Sequence, residues 1–182
     1  MPENIAKQKR AEIEKNLFAS QPVLVQQAIK DARDLGDAAL IEPLLVLLRD
    51  SDDASIRTSV HAMLSELKVT AAERALMDAA VEERFAPIRT QILSFVWSSS
   101  LQPVEDLEPL CRMAIEGDYP QLVEIYTIMD NMEGPYREEH VLEAELLLRD
   151  WVADPANENN EKFELIQTLR KQLANMHHNL TE

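Results

Sequence analysis

Glycine is scarce in this chain of 182 residues: there are three, Gly36, Gly117 and Gly134. Aromatic residues make up 5%. Sandwiches of short strands, and parallel sheets with glycine-rich turns, draw on both, so neither class is expected. One cysteine, Cys111, rules out an internal disulfide and fits a reducing compartment. No apolar run approaches the roughly 18 residues of a membrane span. The opening stretch MPENIAKQKRAEIEKN lacks the apolar segment of a secretory signal, so the expected location is cytoplasmic. Positive charge is short too: 18 Lys and Arg face 33 Asp and Glu, a net charge of −15. Nucleic acid and anionic membranes are bound chiefly through Lys and Arg, so neither is expected as a partner. The charge favours basic partners instead.

What is abundant is leucine, alanine and glutamate, within a 46% hydrophobic composition that supports a packed core. Apolar residues recur at helical spacing almost throughout. The breaks fall at turn chemistry: Gln21-Pro22, Gly36-Asp37, Asp50-Ser51-Asp52-Asp53, Ala86-Pro87, Gly117-Asp118, Gly134-Pro135 and Asp154-Pro155. About ten short helices are predicted, near 3–18, 22–35, 38–49, 54–67, 71–83, 87–99, 104–116, 120–132, 137–153 and 161–177.

The helices repeat. Leu24, Ile56, Ile88 and Leu122 are spaced by 32, 32 and 34 residues. Ile56-Arg57-Thr58-Ser59-Val60 aligns with Ile88-Arg89-Thr90-Gln91-Ile92. Pro43 and Pro109, in Ile41-Glu42-Pro43-Leu44-Leu45 and Leu107-Glu108-Pro109-Leu110-Cys111, lie 66 apart, two periods of 33. The unit is two helices in about 33 residues, and such a unit needs stacked neighbours to cover its apolar face.

This unit resembles the HEAT repeat. It has a first helix with an internal proline (Pro43), an acidic turn (Asp50-Ser51-Asp52-Asp53), and a second helix opening on an apolar residue and arginine (Ile56-Arg57, then Ile88-Arg89). Leu122-Val123 has no arginine, so that ladder has two rungs. The resemblance covers residues 22–153. It implies an all-α fold: a right-handed superhelix of about four helical hairpins in a single domain, 1–182. Residues 1–21 would form an N-terminal cap. Residues 154–182 would be a polar linker and an amphipathic C-terminal helix. HEAT arrays are scaffolds whose second helices line a concave face that holds a protein or peptide. A few HEAT-like members act on nucleic acid as DNA glycosylases, and some are bilin lyases.

The second helices carry the candidate site. With Ile88, Ile92, Phe95 and Val96 in the core, the opposite stripe of 87–99 is Thr90, Leu93, Ser94 and Trp97. With Leu122, Ile125, Tyr126 and Met129 in the core, helix 120–132 presents Glu124, Thr127, Ile128 and Asn131. The expected partner-binding residues are therefore Trp97, Leu93, Ile128, Glu124, Asp130 and Thr90. Tryptophan is a favoured anchor in exposed apolar clusters. The alternative is that the protein itself covers these residues. Residues 101–161 hold 3 basic and 16 acidic side chains, a net −13, which would suit a basic partner segment or simply a solvated surface.

Other candidates fit structural roles better. Arg57 and Arg89 suit bonds to acidic turns or carbonyls of a neighbouring unit. Asp50-Ser51-Asp52-Asp53 fails as a calcium loop, since Ser55 and His61 occupy the required glycine and glutamate positions, and reads as a helix cap. His140 and Glu143 are one turn apart but lack a second such pair. Cys111 has no histidine near it in sequence and reads as buried and inert. Motifs of the GxGxxG, Walker, GxSxG and HExxH types are missing, so neither a catalytic residue nor a metal or cofactor is expected. The last helix carries Phe163, Ile166, Leu169, Leu173 and Met176 as a stripe that must be covered, by the preceding repeat or by a second copy of the chain.

Overall fold

The computed structural model describes residues 3–67 and 71–181. Among them are ten α-helices and no strand. The helices are α1 (Glu3–Leu17), α2 (Pro22–Leu35), α3 (Ile41–Asp50), α4 (Ala54–Leu64), α5 (Ala71–Val81), α6 (Arg89–Ser98), α7 (Leu107–Glu116), α8 (Tyr119–Asp130), α9 (Glu138–Ala153) and α10 (Phe163–Thr181). Short 3₁₀ turns precede α3 (Ala38–Leu40) and α6 (Glu83–Ile88), and a third follows α9 (Pro155–Asn157). The helix starts follow the expected chemistry. The Asp53 carboxylate accepts from the N–H groups of Ser55 and Ile56, and that of Asp118 from Gln121. Pro22 and Pro120 occupy first-turn positions that need no N–H donor. Gly36 closes α2 at φ 62°, a left-handed cap that glycine adopts without a Cβ penalty.

The chain forms two compact units, residues 1–88 and 89–182. In the first unit, α1 packs on α2 and α3 on α4. Across these pairs α1 touches α3, α3 touches α5, and α2 touches α4. Between hairpins, odd-numbered helices therefore meet odd and even meet even. Leu17, Leu40, Leu44, Leu45, Val60 and Leu76 are completely buried in the core. The α1 helix belongs to this core through Ile13 and Leu17. Arg84 and Arg49 lie against the ring of buried Phe85, 4.7 and 5.5 Å from its centroid. Arg84 also pairs with Glu42 at 2.7 Å, and Arg49 donates to the Arg84 carbonyl at 3.0 Å. These two arginines, not Arg57, tie α3 to the turn before α6. Arg57 donates instead to the Ser51 carbonyl of its own hairpin, 3.1 Å away.

The second unit repeats the pattern. The pairs α7–α8 and α9–α10 are in contact, α7 touches α9, and α8 touches both α6 and α10. The apolar stripe of α10, through Ile166, Leu169 and Leu173, is completely buried, and α10 packs on α9 and α8. The preceding polar segment is ordered by its own side chains. Asp154 caps the 3₁₀ turn, Asn157 donates to the Trp151 carbonyl, and Asn160 accepts from the N–H of Lys162. Lys162 is the main departure from what the segment's composition suggests. Its side chain is buried, and its ammonium donates to the carbonyls of Ala114, Ile115 and Gly117 at the end of α7. Burial lowers its pKa from the usual lysine range, against the opposing pull of Asp118 and Glu161.

Candidate functional site

The expected site residues all fall in the second unit, on α6 and α8, which pack on each other. Trp97 is 40% exposed. Its indole N–H donates to the Glu124 carboxylate across the two helices, 2.5 Å away. Thr90 and Glu124 are half-buried and Asp130 is exposed. Leu93 and Ile128, expected beside Trp97 on an open face, are instead in the core at 0 and 1% exposure. The cause is the width of the buried arc. On α6 it takes in Ile92, Leu93, Phe95 and Val96, and α8 has neighbours in α6, α7 and α10. A helix with neighbours on several sides buries more than one stripe. The exposed apolar residues of α8 are Tyr119 and Val123.

A hollow of about 440 Å³ opens where α6 and α8 end. Trp97, Ser100, Gln102, Ile128, Asn131 and Glu133 line it. Its walls are held by a bridge not anticipated from the sequence. The Gln102 amide donates to the Asn131 carbonyl at 3.2 Å, and its oxygen accepts from the Glu133 N–H at 2.8 Å. One side chain therefore pins the loop after α6 to the end of α8. Ser100 sits at φ 54°, a conformation uncommon for a residue with a Cβ, as Leu101 N–H reaches back to the Val96 carbonyl. No local pattern in the sequence marks Gln102; its partners lie 29 and 31 residues away.

The hollow is acidic. Neither α6 nor α8 has a basic residue in its last turn, so neither helix supplies its own positive charge to the negative end of its dipole. The side chain reaching the last turn of α8 from another helix is the neutral amide of Gln172, which donates to the Met129 carbonyl at 3.0 Å. Arg137, the nearest basic residue in sequence, pairs with Glu139 at 2.5 Å and not with Glu133. A second hollow, of about 310 Å³, lies in the first unit over Ile41, Leu44, Met63 and Leu67. Its rim charges are already matched, Arg33 with Glu66 at 4.0 Å and Arg10 with Asp37 at 3.4 Å.

Groups that might carry chemistry sit poorly for it. Cys111 is completely buried, and burial, helped by Glu108, pushes its thiol up to about 12. A thiol in that range stays protonated near neutrality and is a poor nucleophile. His140 lies 3.9 Å from Glu139, and Glu143 is exposed. Among the described residues no group of three or more His, Cys, Asp or Glu is placed to hold a metal ion, and no helix is long and apolar enough to cross a membrane. No protein-family model, curated protein or solved structure matches the chain.

Proposed function

We propose that this protein is a cytoplasmic, non-catalytic scaffold of HEAT-like hairpins, and that the even-numbered helices of its second unit hold a basic peptide or helix from a protein partner. The layered contacts within each unit support the HEAT-like part: hairpin partners touch, and odd helices meet odd helices as even meet even. The binding part rests mainly on Trp97, a part-exposed indole fixed by Glu124 beside an acidic hollow. A large aromatic held in one orientation loses little entropy on binding and suits a hot spot. Asp130 and Glu133 would favour a basic flank.

The test is fluorescence anisotropy with a labelled amphipathic Lys/Arg-rich helical peptide and an acidic peptide of the same apolar pattern. The basic peptide should bind and the acidic one should not. Trp97→Ala should weaken binding about tenfold, roughly 1.4 kcal/mol, while thermal melting stays cooperative. Unchanged binding by Trp97→Ala would move the site elsewhere. Tight binding of duplex DNA at low salt would overturn the assignment in favour of a nucleic-acid protein.

A further inference from the structure

We propose that the hollow beside Trp97 is a guanidinium site, taking the side chain of an arginine from the partner's basic segment. The proposal rests on the scaffold reading for the source of the arginine. The recognition chemistry comes from the hollow itself.

The molecule shows what a helix end of this kind accepts. At the end of α7, three backbone carbonyls converge on the buried ammonium of Lys162. A cation there satisfies carbonyl groups and meets the negative end of the dipole. At the ends of α6 and α8 the same polarity is present twice, with no basic residue in either last turn. No Lys, Arg or His is among the described residues that line the hollow. Glu133 supplies a carboxylate at the wall, and Trp97 supplies an aromatic surface.

Three features favour arginine over lysine. A guanidinium stacks on an indole, is more weakly hydrated than an ammonium, and can present two parallel N–H groups to one carboxylate. The site is also built in advance. Glu124 fixes the indole through its N–H, and Gln102 fixes the backbone at Asn131 and Glu133. Little has to be ordered when the ligand arrives. The first-unit hollow lacks this combination, because its charges already pair with one another.

The full chain carrying Trp151→Phe leaves Trp97 as its single indole. Its Nε1–H cross-peak in a ¹⁵N–¹H spectrum then reports directly on the hollow. The probes are N-acetyl-arginine methylamide, the corresponding lysine compound, and the neutral citrulline compound, all at constant ionic strength. The arginine probe should shift the cross-peak saturably. Lysine should bind more weakly, and citrulline at least fivefold more weakly. Glu133→Gln should bring arginine binding down to the citrulline level without changing the melting temperature. The bridge to Gln102 uses the backbone N–H of residue 133 and survives that exchange. No saturable shift with arginine, equal shifts with citrulline, or full arginine affinity in Glu133→Gln would each overturn the guanidinium site. Those results leave the scaffold reading standing if the basic helical peptide is still captured. Loss of peptide capture with an intact arginine response would sink the scaffold reading alone.

Discussion

Cys111 shows how burial alone can decide the role of a residue. Its thiol keeps its proton in the folded chain up to about 12, whereas an exposed thiol loses it near 9. Between those values the unfolded chain releases a proton that the folded chain retains. The stabilisation is thus complete below pH 9 and is lost as pH rises toward 12, at about 1.4 kcal/mol per pH unit. Denaturant unfolding at pH 8, 9, 10 and 11 should show that decline, and Cys111→Ala should flatten it. Lys162, with its lowered pKa, contributes the opposite slope in the alkaline range, so the comparison with Cys111→Ala is what isolates the thiol. An alkylating reagent at pH 7 should leave native Cys111 unmodified and label it once the chain unfolds. The inert reading of Cys111 was legible from the lack of a histidine near it in sequence. Trp97 was legible as an exposed aromatic because it falls on the stripe opposite the core residues of its helix. Leu93 and Ile128 were misplaced because one helix's periodicity locates a stripe but cannot say how many neighbours flank it.

At the scale of elements, the sequence reading located the helices closely: each of the ten coincides with one in the structure to within a few residues, because capping aspartates, prolines and glycines mark the ends. The ties between elements were not legible. Gln102 joins residues about 30 positions apart, Lys162 reaches 45 to 48 residues back, and both are ordinary polar residues in the sequence. The Lys162 tie is the more consequential. Lys162→Met keeps the apolar stem and leaves three carbonyls without their donor. It should destabilise the second unit by about 1–3 kcal/mol and raise amide exchange in the first turns of α10. Lys162→Arg should not restore the loss, since a planar fork replaces a compact head whose three donors meet three carbonyls. The α7–α8 turn is constrained as well. A Cβ on Gly117 would meet the Met113 carbonyl oxygen at 2.7 Å, so Gly117→Ala should cost stability though its φ of −75° is ordinary.

At the scale of the whole molecule, charge is the dominant long-range property. The second unit carries 7 basic and 18 acidic residues, a net −11, and the first a net −4. A basic partner is therefore drawn mainly to the unit that holds Trp97. Raising the ionic strength from about 0.05 to 0.3 M should weaken capture of the basic peptide several-fold, since exposed charges are screened over shorter distances. Capture that is indifferent to salt would assign the binding energy to Trp97 and its apolar surroundings. Net charge should vanish near pH 4.6, where light scattering should detect self-association. The period of about 33 residues was legible in part at this scale: of the four positions aligned on it, Ile56, Ile88 and Leu122 are buried, whereas Leu24 is exposed, so the period marks core positions in three of the four units. The hollow was not, since it is made by loops whose composition does not repeat.

Lys162 also gives the molecule a built-in timer. Trypsin must draw a lysine or arginine side chain into its specificity pocket before it cuts. The head of Lys162 is occupied by α7, so the bond to Phe163 is shielded while α10 is seated. Exposed Lys171 lies within the same helix, so a cut there also needs α10 to open. The rate of cutting after residue 162 therefore counts how often the start of α10 lifts away, and a bound partner that steadies the second unit will slow that cut.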